Sequence, residues 1–174
     1  KKYSNDAWDT NPTTYLATVV NLTSGQDADQ NFYQNYYVSQ SFKVLHSDKL
    51  STVKVYLRRV VGEDPVGIYI QIYKADEGGM PIESEIGYGT ISSFTSTSYA
   101  WYTCSLTTIP DLTAGNSYCI VLSAVSGNSS NYYAWGVDST SPPYSDGNLA
   151  TSDDWGGSWS ANTSKDALFE AHVD

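Results

Sequence analysis

Apolar and polar residues alternate along much of this chain, and clusters of Gly, Pro, Asn, Asp and Ser interrupt the alternation at intervals of about ten residues. A period of two sends successive side chains to opposite faces of a strand, and no segment shows the 3.6-residue period of a helix. Residues 53–58 (Val-Lys-Val-Tyr-Leu-Arg) and 68–73 (Ile-Tyr-Ile-Gln-Ile-Tyr) alternate most cleanly. Gly62-Glu63-Asp64-Pro65 between them is a turn signal. The pattern predicts an antiparallel hairpin with Val53, Val55, Leu57, Ile68, Ile70 and Ile72 facing a core. Further strands are predicted over 14–22, 36–45, 87–93, 100–106, 117–124, 132–137 and 166–173, with loops at 76–81 and 112–116. Residues 1–12 read as an extended arm or linker, and 13–174 as one domain. About nine or ten short antiparallel strands in one domain make an all-β fold, a jelly-roll β-sandwich.

The predicted hairpin has a second face. If its apolar residues point inward, Lys54, Tyr56, Arg58, Tyr69, Gln71 and Tyr73 form a flat outer patch. Aromatic planes with polar donors between them suit sugars, whose C–H faces stack on rings while their hydroxyls bond to Arg and Gln. The competing reading is ordinary cross-strand pairing of tyrosines, which are favoured strand residues.

Composition sharpens this contrast. The chain has 15 Tyr and 5 Trp but only two His, two Cys and one Met, so rings that grip outnumber groups that react. The net charge of -10 excludes nucleic acid, which needs clustered Lys and Arg. It also argues against an anionic membrane surface, and no apolar run reaches the roughly 18–20 residues of a membrane span. Solubility and cation binding both remain open as reasons for the acidity. Sequons at Asn21, Asn128 and Asn162, with few lysines and many Ser, Thr and Tyr, point to an extracellular or cell-surface setting. The start at Lys1, without an apolar signal region, reads as a mature or excised piece.

Several local motifs carry candidate chemistry. Ser152-Asp-Asp154-Trp-Gly156-Gly-Ser158-Trp159 resembles the Asp box, Ser-x-Asp-x-Gly-x-Thr/Ser-Trp. In sialidases and related propellers that box repeats and is structural. Here it occurs once, which does not support a propeller. Asp154 is expected to accept turn N–H groups, Gly156 to supply a conformation other residues resist, and Trp159 to cover the hairpin. Trp155 falls at the tip, where it would be exposed to a ligand. Tyr144, after Pro142-Pro143, is likewise expected to be exposed, whereas Tyr133 and Trp135 share a strand face and are assigned to the core.

Asp27-Ala-Asp29-Gln-Asn31 places alternating oxygens as a Ca²⁺ site would, with Glu170 as a further ligand. A solvated polar turn explains the same residues. Phe32 stands where an EF-hand needs Gly, so any calcium is expected to be structural. Cys104 and Cys119 are 15 positions apart. They either close a disulfide, worth about 3 kcal/mol, or stay as two buried thiols. His46 beside Ser47-Asp48 makes no triad, because adjacent residues on an extended chain point opposite ways.

Taken together, Gln40-Ser-Phe42, Leu50-Ser-Thr-Val53-x-Val55-x-Leu57, Ile70-x-Ile72-Tyr73-x-Ala75-Asp76, Leu112-Thr-Ala-Gly115-x-x-Tyr118-x-Ile120-Val-Leu122 and Tyr133-x-Trp135-Gly136, with Asp166-Ala-Leu168-Phe169, resemble extracellular β-sandwich modules. The resemblance covers about residues 38–173 and is to jelly rolls of the galactose-binding or carbohydrate-binding-module type. Such modules occur in surface proteins, secreted glycoside hydrolases and phage particles. It implies fold and setting more than ligand, since the matching positions are core and turn positions. The first functional expectation is a non-catalytic module that binds a glycan or polysaccharide. The second is a structural or adhesive subunit of a surface filament, capsid or tail, whose N-terminal arm adds to a neighbouring subunit. The third is a small jelly-roll glycoside hydrolase. It requires two facing carboxylates, and Glu83, Glu85 and Glu170 are the residues available for that role.

Overall fold

The computed structural model describes residues 17–60, 67–140 and 144–173. The predicted arm, the start of the first strand, the Gly62–Pro65 turn and Pro142-Pro143 lie outside the described residues. In chain order the strands are β1 (Ala17–Leu22), β2 (Ala28–Phe32), β3 (Tyr37–Lys43), β4 (Asp48–Val60), β5 (Ile68–Ala75), β6 (Pro81–Ile91), β7 (Ala100–Ser105), β8 (Asp111–Leu112), β9 (Ser117–Ala124), β10 (Tyr132–Asp138), β11 (Leu149–Ser152), β12 (Ser160–Asn162), β13 (Asp166–Ala167) and β14 (Phe169–Val173). No helix occurs among the described residues. All strand pairs are antiparallel, and they form two sheets, an all-β sandwich compatible with a jelly roll. Fourteen described strands exceed the expected nine or ten. The alternation does not register pieces as short as β8, β12 and β13, and β2 carries too little apolar sequence to show.

The first sheet is built around the long β4. One edge of β4 pairs with β14 and then with β10; the other pairs with β7 and β8. The second sheet runs β12-β11-β3-β9-β5-β6. Val53, Val55 and Leu57 from one sheet and Ile68, Ile70 and Ile72 from the other are at most 1% exposed. Tyr133 and Trp135 are also fully buried, and the Trp135 indole donates to Leu168 O at 2.7 Å. Phe42 meets Phe169 across the layer with ring centres 5.9 Å apart.

A polar clasp also joins the layers. Gln40 is fully buried, donates to Asp166 at 3.1 Å and accepts from Ala167 N at 2.7 Å. Both ends of its amide are therefore satisfied, which burial demands. Burial also raises the pKa of Asp166, against the hydrogen bond from Gln40.

The predicted hairpin does not form. β4 and β5 belong to different sheets and share no ladder. β5 pairs with β9 and β6 instead. Both strands point their apolar residues into the same core, but from opposite sides. Their outer faces therefore point in opposite directions, and the expected six-residue patch is split in two.

Candidate functional site

The half of the expected patch on the first sheet is occupied by its own contacts. Tyr56 pairs directly with Trp101 on β7, ring centres 5.1 Å apart, and stacks on Tyr99 at 5.0 Å and 15°. Arg58 donates to Asp29 and lies 5.5 Å from the Tyr99 ring centre, and the Tyr99 hydroxyl donates to Asp29 at 2.6 Å. Burial first, then the Asp29 carboxylate, raises the Tyr99 pKa. These rings lie flat because β10 carries Gly136 beneath them. A Cβ there would stand 2.9 Å from Tyr56 Cδ1 and 3.2 Å from Tyr99 Cε1. For Tyr56, cross-strand pairing is the role observed.

The expected calcium ligands do not converge. Asp27 accepts from Ser139 N at 2.8 Å, a bond that lowers its pKa. Asp29 is held by Arg58 and Tyr99. Asn31 sits on β2 opposite Ala134. Glu170 accepts from Lys54 at 3.1 Å and meets His172 Nε2 at 2.7 Å. Burial works to raise the Glu170 pKa, but these two partners outweigh it and the net shift is downward. Among the described residues no group of three or more His, Cys, Asp or Glu is placed to hold a metal ion.

Of the two alternatives for the cysteines the buried thiols hold, and one further expectation, for Tyr144, is corrected. Cys104 and Cys119 are free, buried thiols, not a disulfide. Cys104 faces the core from β7, whereas Cys119 lies on the outer side of β9, where its thiol meets Gly79 O at 3.4 Å. A whole sheet separates them. Burial pushes their pKa values up to about 11 and about 12. Tyr144 is half-buried rather than exposed. Its ring meets Phe169 edge-on at 5.7 Å, its oxygen accepts from Lys43 N at 3.0 Å, and burial pushes its pKa up to about 12.

The outer face of the second sheet is different. Along its middle strands, Ser39, Ser41, Cys119 and Val121 are small and buried, while Tyr37 and Tyr73 rise to either side. A cleft of about 250 Å³ is lined by Tyr37, Tyr73, Pro81, Ile82, Glu83 and, from the β11–β12 hairpin, Trp155, Gly156, Gly157 and Trp159. Four aromatic rings therefore border one cleft. Of five exposed large apolar side chains among the described residues, two stand here: Ile82 at 38% and Trp155 at 59% exposure. Clustered apolar exposure of this kind marks interaction sites.

The hairpin is held in shape by its own hydrogen bonds. Asp154 accepts from Ser158 N at 2.8 Å and from the Ser158 and Ser152 hydroxyls at 2.6 and 2.7 Å. These bonds, Ser158 first, hold the Asp154 pKa down at about 2. Ser152 Oγ accepts from Gly156 N at 2.9 Å. Gly156 has φ of +83°, and a Cβ there would lie 3.4 Å from Tyr37 and 3.6 Å from Trp159. Its lack of a side chain thus serves the turn and leaves space between two rings. The β2–β3 turn braces the hairpin: Trp155 N donates to Asn35 O at 3.1 Å, and the Asn35 amide donates to Asp153 O at 2.8 Å.

Backbone strain falls at the same place. Only two non-glycine residues among those described have positive φ, Glu83 at 63° and Trp155 at 64°. Both line the cleft. Such a conformation persists for an ordinary residue only where its surroundings over-determine it, and it collects at ligand sites. Opposite Tyr73, β6 bulges outward: Ile72 pairs with Gly87, but Lys74 pairs with Ile82. Glu83 sits at the start of this bulge and accepts from Lys74 at 2.8 Å. Glu85 accepts from Gln71 at 2.6 Å, and Gln71 reaches the Tyr73 hydroxyl at 3.3 Å. Tyr73's pKa is raised by burial first and then by Glu85.

Of the residues selected from sequence, the cleft gathers Tyr73, Trp155, Gly156 and Trp159, with Gln71 bonded behind them. Tyr69 packs against Tyr88 at 5.7 Å outside it. Tyr37 and Ile82 were missed, and Glu83 was noted only as a possible half of a carboxylate pair. No sequence signal places β3 beside the hairpin. No family model and no curated protein matches this chain.

Proposed function

We propose that this protein is a non-catalytic carbohydrate-binding module of an extracellular or cell-surface protein. The observation that carries the reading is the cleft on the second sheet, where Tyr37, Tyr73, Trp155 and Trp159 surround a hollow with polar groups at its rim. Sugar rings present apolar C–H faces to aromatic planes and hydroxyls to carboxylates and amides. The cleft supplies both, on strands and a braced hairpin that hold their geometry before a ligand arrives. Rigid aromatic contacts cost little ordering on binding. The single Asp-box hairpin then has two roles, as a structural turn and as the carrier of Trp155.

The hydrolase alternative draws less support. Glu170 is on the opposite sheet from Glu83 and Glu85, and those two are bonded to Lys74 and Gln71. The assembly alternative rests on residues 1–12, which lie outside those described.

The test is a glycan array followed by affinity gel electrophoresis, with Ca²⁺ and again with a chelator. Retention on a defined polysaccharide, lost on replacing Tyr73 and Trp155 together, supports the reading. Retention that survives this double replacement moves the site elsewhere. No retention on any glycan shifts the weight to assembly, to be examined by deleting residues 1–12 and measuring particle size.

A further inference from the structure

We infer that the cleft selects uncharged sugar rings and that Glu83, paired with Lys74, is the residue that turns anionic glycans away; this rests on the carbohydrate-binding reading above. The first observation is where charge stands. Apart from tyrosine phenols, Glu83 is the only ionisable side chain lining the cleft among the described residues. Its carboxylate is held at 2.8 Å by Lys74 Nζ, with both side chains at least half exposed. This is a polar but locally neutral wall that can accept from a hydroxyl without demanding a counter-charge.

Farther out, the rim is acidic. Glu85 lies close enough to Tyr73 to raise its phenol pKa. Glu83 and Glu85 both stand on β6. Against these carboxylates the β5–β6 rim supplies one ammonium, Lys74, already engaged by Glu83, and the chain as a whole carries -10. A uronate, sialate or sulfate entering the cleft would meet the Glu83 carboxylate and, among the described residues of its walls, no cation. Like charges brought together this way suppress wrong partners.

The second observation is the backbone at Glu83. Its φ of 63° is a position where glycine is the local default. A side chain there, on a cleft that Trp155 lines with a φ of 64°, fits a role for the carboxylate itself. Size limits the ligand further. About 250 Å³ is below the roughly 300–1,000 Å³ that takes a drug-sized molecule, so the enclosed part holds about one or two rings.

Three soluble polysaccharides of similar length distinguish the outcomes in affinity electrophoresis: a neutral β-glucan or xyloglucan panel, polygalacturonate, and chitosan. The expected result at low salt is retardation by a neutral polymer at least about tenfold stronger than by polygalacturonate, with the gap narrowing as salt screens the rim. Glu83→Gln frees Lys74 and should cut the discrimination against polygalacturonate several-fold, read as the ratio of polygalacturonate to neutral-polymer retardation in the same variant. Polygalacturonate binding equal to or tighter than the neutral panel overturns this inference while leaving glycan binding standing. So does retardation by chitosan alone, which would make the rim a cation site. An unchanged ratio in Glu83→Gln, with a parent-like thermal unfolding transition proving the variant folded, removes Glu83 from the role. Retardation by none of the three, together with an empty glycan array, refutes the carbohydrate reading itself.

Discussion

Replacing Trp155 with Ala separates binding from stability. The indole is 59% exposed, so its removal uncovers little core and should shift stability by no more than about 0.5 kcal/mol. Its effect on binding can be estimated from area. A Trp side chain carries up to about 250 Å², so about 150 Å² is free at this exposure, and a sugar laid on one face covers about half of that. About 70 Å² at about 25 cal/mol per Å² is near 1.8 kcal/mol. That is a roughly 20-fold rise in Kd. Calorimetry on the best-retained oligosaccharide, beside thermal denaturation, measures both quantities. Trp155→Gly is the companion variant. At φ of 64° glycine escapes strain that alanine keeps, so the Gly form should be about 1 kcal/mol more stable than the Ala form while binding equally weakly. Binding within about twofold of the parent in a folded Trp155→Ala protein would refute the stacking argument. A Gly form less stable than the Ala form would refute the strain argument.

Other expectations follow from the rest of the structure. Gly136→Ala drives a Cβ against Tyr56 and Tyr99 and should cost about 1–3 kcal/mol in denaturant unfolding, with glycan retention unchanged because the cleft is on the other sheet; lost retention at unchanged stability would place the site on the first sheet. Asp154's folded pKa of about 2 lies below its ordinary value of 3.8, so its contribution to the hairpin is full above about pH 4 and is lost as pH falls toward 2. A carboxyl NMR titration of Asp154 with a midpoint at 3.8 or above would contradict this. Both thiols are free and buried, so reductant should leave the melting temperature unchanged, and a thiol reagent should label the protein only after unfolding. A reductant-sensitive melting point would restore the disulfide.

How far the site was legible in sequence differs residue by residue. Trp155 and Gly156 were readable because a turn is local: Asp, Gly and Ser at fixed offsets state where hydrogen bonds close. Tyr73 was readable as an outward residue on an alternating strand. Tyr56 read the same way, yet its ring is taken up by Tyr99 and Trp101, and its partner Tyr99 precedes β7 and lies 43 positions away in the chain. Tyr37 carried no signal, since its place beside the hairpin follows from β3 pairing with β11, more than 100 residues downstream. Asp27, Asp29 and Asn31 looked like metal ligands because spacing alone cannot show that Ser139, Arg58 and Tyr99 already occupy the two carboxylates.

The sequence by itself determined that this chain is all-β and, in the strands whose alternation shows, which side chains face the core, because a period of two assigns every residue of such a strand to one face or the other. It did not determine which sheet a strand joins. β4 and β5 bury their apolar sides equally well as hairpin partners or as members of facing sheets, and alternation is the same in both. Only the tertiary structure decided for facing sheets, since the ladders of β4 with β7, β10 and β14 and of β5 with β6 and β9 satisfy both edges of each strand at once. That choice sent Tyr56 and Arg58 to one side of the molecule and Tyr73 to the other, where Tyr37, Glu83, Trp155 and Trp159 meet it.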